Sequence, residues 1–157
     1  MILIGLQASG KSSFVRSRFA ATHVHVGKDL LGAGRHRARR QLELIQEALD
    51  AGRSVVVDDT NPRVEDRAPV IALGGRHRAR VVAYWFDASL SECLMRNAER
   101  PDRARVPAAL LYTTARRLQP PDPREGFDAL YRVRFVDDRF VISPVAGEVA
   151  PPSQAPA

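Results

Sequence analysis

Lys11 and Ser12 sit behind two glycines at a spacing with chemical meaning. The chain opens Met1-Ile2-Leu3-Ile4-Gly5-Leu6-Gln7-Ala8-Ser9-Gly10-Lys11-Ser12-Ser13, an apolar run that passes straight into G-x-x-x-x-G-K-S. Glycine at both ends lets a backbone turn tightly enough to aim its N–H groups at phosphate oxygens. Lys11 adds a fixed positive charge toward the outer phosphates, and the Ser12 hydroxyl is a ligand for Mg²⁺. A helix expected from Lys11 to about Ala20 contributes its positive N-terminal end. Gly5 to Ser13 therefore reads as a cradle for a bound nucleotide. A plain Gly-rich turn before a helix has the same residues, but a strand before and a helix after are the setting that a phosphate loop requires.

Phosphoryl transfer also needs a metal, a group to take the acceptor's proton, and positive charge over the moving phosphoryl. Ser12, helped by Asp58 or Asp59, can hold Mg²⁺ directly or through water. Asp29 follows the second expected strand, where a base could meet an acceptor hydroxyl. Arg96 and Arg100 are four apart on one helix face and form the expected lid. Each has a plainer role available: Asp29 as a cap, one of the two acids as a turn support, the arginines as solvated surface.

The elements that must position these residues alternate. Strands are expected over the opening run, Thr22–Val26, Arg53–Asp59 and Ala79–Phe86, with a last strand over Arg132–Val136 paired with Phe140–Ile142. Helices are expected from about Arg35 to Ala51, with Leu42, Ile45 and Leu49 as the buried stripe and Gly52 as the stop. Others run from Pro62, behind an Asn61 N-cap, to about Leu73, and from Ser89 to about Arg100, opened by the capping box Ser89-x-x-Glu92 with Leu90 and Leu94 buried. A further helix spans about Pro107 to Leu118. The pattern is an α/β three-layer P-loop arrangement around a mostly parallel sheet. Ligands of such sheets bind at the carboxyl ends of the strands, where Lys11, Asp29, Asp58 and Asp59 all fall. One domain over 1–142 and a disordered Pro/Ala-rich tail over 143–157 complete the expected organisation. His23 and His25 share a strand face and read as solvated or loosely paired.

Composition narrows the classes. The 157 residues are 45% hydrophobic and 27% charged, as in a globular domain. The single Cys93 excludes an intramolecular disulfide and a cysteine metal cluster. No apolar run has the length of a membrane span, and the start lacks the basic flank of a signal peptide, so a cytoplasmic location is expected. The net charge of +6 suits an anionic partner. Of the 24 basic residues, 22 are arginine and the two lysines are Lys11 and Lys28. Lysine persists where the loop needs a compact point charge, which also draws attention to Lys28. Arg35, Arg37, Arg39 and Arg40 form either a solvated helix face or an anion-binding wall.

Taken together, several stretches carry a resemblance: Gly5-Leu-Gln-Ala-Ser-Gly-Lys-Ser12, His25-Val-Gly-Lys-Asp29-Leu-Leu-Gly32, Val55-Val-Val-Asp-Asp-Thr-Asn-Pro62, Arg96-Asn-Ala-Glu-Arg100, Arg105-Val-Pro107 and Leu118-Gln-Pro-Pro-Asp-Pro-Arg-Glu-Gly-Phe127. From Ile2 to about Phe135 the chain resembles the 5′-hydroxyl polynucleotide kinase domain of the P-loop kinase superfamily. The resemblance implies ATP-dependent phosphorylation of a nucleic acid 5′-OH. It implies Lys11 and Ser12 on phosphate and metal, Asp29 as general base, Asp59 organising the acceptor side, Arg100 bridging the ATP phosphates and Arg96 supporting that lid. Gly32 stands where the phage enzyme has an acceptor-orienting arginine, and Arg35 or Arg37 is expected to supply the charge. Lys28 replaces the usual arginine before the base. No D-x-D-G-T signature is present, so no 3′-phosphatase activity is expected. A kinase of a small metabolite, antibiotic or sugar nucleotide would use the same cradle and base, and a nucleotide-binding module without transfer chemistry would use the cradle alone. A basic groove beside Asp29 would favour the polynucleotide; a closed apolar pocket, the metabolite; a basic surface remote from the strand ends, the module.

Overall fold

A computed structural model describes residues 1–32 and 35–145; Ala33 and Gly34, from the expected Gly-rich bend, and 146–157, from the expected tail, lie outside the described residues. Six strands form one sheet: β1 (Ile2–Ile4), β2 (Val24–Val26), β3 (Val55–Val57), β4 (Val82–Phe86), β5 (Ala129–Val136) and β6 (Arg139–Pro144). Their spatial order is β2-β3-β1-β4-β5-β6, with the first five parallel and β6 antiparallel to β5. This is the expected three-layer arrangement. Among the described residues five α-helices flank it: α1 (Lys11–Arg18), α2 (Arg37–Asp50), α3 (Val64–Arg76), α4 (Leu90–Ala98) and α5 (Ala108–Arg117).

The alternation of each strand divides the core. Ile2, Ile4, Val55 and Val57 face α2 and α3, where Ile45, Ala48, Val70 and Leu73 meet them. Leu3 and Val56 face the other way, onto Phe14 and Val15 of α1. A third cluster, Leu6 with Cys93 and Leu111, seats α4 and α5 beside the loop that leaves β1. Period-2 patterning on short apolar strands thus places a helix layer on each face.

Four local expectations are corrected. Asn61 is not an N-cap: its φ is +41° and its buried amide donates to the Leu3 carbonyl at 2.7 Å, a bond across the sheet that helix capping cannot match. Pro62 is accordingly outside the helix, which starts at Val64 behind Arg63 and runs three residues past Leu73, to Arg76. On α2 the deepest positions are Gln41, Ile45 and Ala48, with Leu42 and Leu49 half-buried beside them. Ser143 and Pro144, expected in the tail, belong to β6. The expected β5–β6 pairing is present and turns on Asp137 and Asp138, both at positive φ, as a two-residue hairpin requires.

Candidate functional site

The loop between β1 and α1 is held open by backbone that few residues tolerate. Gly5 has φ of +149°, and a Cβ there would lie 2.9 Å from the Cβ of Phe86. Its N–H donates to the Thr60 carbonyl at 3.0 Å, tying the loop to the end of β3. Ala8, at φ of +61°, stores local strain. The first-turn N–H groups of α1 lack intrahelical acceptors and face the space the loop encloses. Lys11 is buried, and its ammonium donates to the carbonyls of Gly5 at 3.0 Å and Leu6 at 2.5 Å and to Ser9 Oγ at 3.3 Å. Burial lowers its pKa to about 8, against the opposing pull of Asp58.

The ends of β2 and β3 supply three carboxylates. Gly27 makes this possible, because a Cβ there would come within 2.9 Å of the Asp58 carbonyl. Asp58 Oδ2 pairs with His25 Nε2 at 3.0 Å, so His25 is engaged rather than free. Asp59 is fixed twice: Oδ1 accepts the Lys28 N–H at 2.9 Å and Oδ2 accepts from Gln41. Asp29 is exposed in the first turn of a 3-10 helix, Lys28–Leu31.

These groups meet in a cavity of about 380 Å³. Gln7, Ala8, Gly10, Lys11, Ser12, Ser13 and Arg16 form one wall; Asp29, Asp58, Asp59 and Thr60 another; Arg100, just beyond α4, closes it with Ala104 and Val106. Of the oxygen donors that line this cavity, Asp59 has both carboxylate oxygens engaged, whereas Asp58 keeps Oδ1 clear of the His25 pair beside the Ser12 hydroxyl. One hydroxyl and one carboxylate are donors that would suit Mg²⁺ shared with bound phosphates. Among the described residues no three His, Cys, Asp or Glu cluster as a metal site of their own.

A groove of about 650 Å³ continues from this cavity, sharing Gln7, Asp29, Asp59, Thr60, Ala104 and Val106 with it. Its cations are Lys28, Arg37, Arg63, Arg103, Arg105 and Arg117, against the acids Asp29, Asp59 and Asp66. Arg63 is engaged by Glu65 and Asp66, and Arg105 by Asp102 at 3.2 Å and the carbonyls of Ala98 and Arg100. No carboxylate among the described residues pairs with Lys28, Arg37, Arg103 or Arg117.

Two expected residues stand elsewhere. Arg96 lies over the Phe135 ring, 5.4 Å from its centroid, with Glu92 at 3.8 Å, and does not line the cavity. Arg35 lines neither space, whereas Arg37 does. The basic wall of α2 is partly neutralised, since Arg39 and Arg40 pair with Glu43 and Glu47.

Gln7 is a residue that the sequence reading gave no separate role. Its amide donates to Thr114 Oγ1 at 2.9 Å, and the Thr114 hydroxyl donates to the Leu110 carbonyl at 2.8 Å. The phosphate loop is thereby fastened to α5. Arg103 and Arg117 also edge the groove, and no motif in the sequence singled either out.

Residues 1–121 match the family model described as an AAA domain. Among solved structures, Kti12 of Chaetomium thermophilum, in complex with ADP-AlF3, is 17% identical with a TM-score of 0.68, covering 87% of this chain and 89% of its own. A fungal RNA kinase is 18% identical with a TM-score of 0.65, over 88% and 74%. A gluconokinase from Sinorhizobium meliloti 1021 is 20% identical with a TM-score of 0.60, over 85% and 80%. The chain belongs to the AAA domain family and has a P-loop kinase-like fold.

Proposed function

We propose that the protein transfers the γ-phosphoryl group of ATP to the 5′-hydroxyl of a polynucleotide. The same fold serves a fungal RNA kinase and a gluconokinase, so the acceptor side carries the choice. The observation that carries it is the groove beside Asp29, edged by four cations without carboxylate partners, an arrangement that suits a run of acceptor phosphates.

The loop and the start of α1 bind the β- and γ-phosphates, with Lys11 turning from loop carbonyls to phosphate oxygen. Lys28 and Arg37 hold acceptor phosphate, and Asp59 keeps the Lys28 backbone in place. Asp29 accepts the proton of the 5′-hydroxyl as that oxygen bonds to the γ-phosphorus. The bond from the γ-phosphorus to the bridging oxygen breaks, and ADP leaves with that electron pair. Arg100 stabilises the charge shared between the phosphates. Ser12 and Asp58 would hold Mg²⁺, which would supply further neutralisation of the phosphates. Arg96 acts at one remove, keeping the segment before Arg100 against Phe135.

Labelled ATP, Mg²⁺ and a 5′-OH oligonucleotide test this directly. Transfer of label to the oligonucleotide is expected, and a folded protein that transfers none sinks the reading. Asp29→Ala should cut turnover by about 10²- to 10⁴-fold, the usual worth of a positioned base, while ATP affinity changes less than about twofold. Normal turnover in that variant removes Asp29 from the mechanism.

A further inference from the structure

His25 does not line the cavity that holds the phosphate loop, yet it touches that cavity through one atom pair. On β2 it stands opposite Val56, while Val24 and Val26 on either side of it turn into the core beneath α2. Asp58 comes two residues after Val56 and shares its side of β3, so the two side chains meet diagonally across neighbouring strands. The backbone of Asp58 is fixed by the same strand, its N–H donating to the Val26 carbonyl at 2.8 Å. That leaves the carboxylate torsion, which has no sharp minimum of its own. His25 Nε2 fixes it, 3.0 Å from Oδ2. An ionised carboxylate only accepts, so the shared proton sits on Nε2 whatever the charge of the ring. The Asp58 side chain is 6% exposed and that of His25 37%, so a buried carboxylate is held from the edge strand of the sheet.

We propose that His25 is a positioning residue for the metal side of the nucleotide site. By holding Oδ2 it leaves Oδ1 as the Asp58 oxygen that would meet Mg²⁺ beside the Ser12 hydroxyl. Partners that orient a metal-binding carboxylate contribute to metal affinity without touching the metal. The proposal rests on Ser12 and Asp58 being the Mg²⁺ donors and is independent of the acceptor. The same bond also joins β2, an edge strand, to β3. The two roles differ in what a lost bond changes: positioning acts on metal binding alone, whereas strand pairing acts on nucleotide binding with or without metal.

The test reads binding and no transfer. Mn²⁺, a hard divalent ion that suits the same oxygen donors, is titrated into the protein with ADP, and bound metal is followed by electron paramagnetic resonance. Protein is kept in excess so that little nucleotide is free. His25→Phe keeps a ring on the strand and removes the donor. It should weaken Mn²⁺ binding about tenfold, while ADP affinity in EDTA changes less than about twofold. His25→Gln, whose amide nitrogen can donate from a similar place, should restore most of the metal affinity. Unchanged Mn²⁺ affinity in His25→Phe overturns the proposal, and so does an equal loss of ADP affinity in EDTA, which would make the bond one of strand pairing. Asp58→Asn separates the two levels. If it loses Mn²⁺ while His25→Phe keeps it, only the role of His25 falls; if it too binds Mn²⁺ as the unaltered protein does, the metal assignment falls and the role of His25 with it.

Discussion

The Lys11 ammonium donates to loop oxygens, and burial lowers its pKa to about 8. A bound phosphate stabilises the charged form and raises that pKa again. The sign follows from linkage: below the free-protein pKa the lysine is already charged and affinity is flat. Above it, binding must take up a proton, so nucleotide affinity should fall by up to about tenfold per pH unit. Titrating ADP without metal at pH 7 and 9 checks this; equal affinities at the two values contradict it. Gln7 presents a second single-residue case. Its Oε1 is buried without a partner while its amide nitrogen is fixed on Thr114. Thr114→Val removes the acceptor and leaves that amide nitrogen unpaired as well. A loss of about 1–3 kcal/mol in urea unfolding is expected.

Among the elements, the connection after β3 is held by a side chain far from the chemistry. Arg67 of α3 is fully buried, and its guanidinium meets the Glu125 carboxylate at 2.6 and 2.7 Å. It also donates to the carbonyls of Asn61 at 3.1 Å and Gln119 at 3.2 Å. One arginine thus joins α3, the turn that follows Asp58 and Asp59, and the Pro-rich loop after α5. Arg67→Ala leaves Glu125 buried and unpaired, and should cost about 3–5 kcal/mol in urea unfolding. Loss below about 1 kcal/mol would show that the pair holds little of the fold together. The α4–α5 unit meets the rest through Leu111 and Cys93 against Leu6, through Gln7 on Thr114 and through Arg96 on Phe135. It carries Arg100, Arg103 and Arg117, so its position sets the shape of both the cavity and the groove.

At the scale of the whole molecule, part of the net charge of +6 lies along one groove. Four cations without carboxylate partners line the groove beside Asp29. If each meets one phosphate of a single strand, the acceptor KM should rise with salt with a log–log slope of about 3. The KM for ATP should change far less, because a buried cradle is screened less than an exposed groove. Equal salt dependence for the two substrates would point to a small acceptor.

The phosphate loop, the parallel α/β arrangement and the grouping of Lys11, Ser12, Asp29, Asp58 and Asp59 were all legible in the residues. Each depends on local signals, namely glycine spacing, period-2 apolar strands and acids at strand ends, and the topology of parallel strands brings such ends to one edge. Asn61 was misread because its capping preference is local, whereas its bond to Leu3 exists only once β1 and β3 are neighbours. Arg96 and Arg100 share a helix face by spacing, yet the helix ends at Ala98 and the two diverge, one to Phe135 and the other to the cavity. Arg37 rather than Arg35, the placing of Arg117, and the hold of Arg67 on Glu125 are likewise contacts between segments far apart in the chain. Sequence alone determined what the phosphate loop is built from; the packing of α2 and α5 across the sheet end decided which cations line the groove beside it, because side-chain direction is set by long-range contacts that no local pattern encodes.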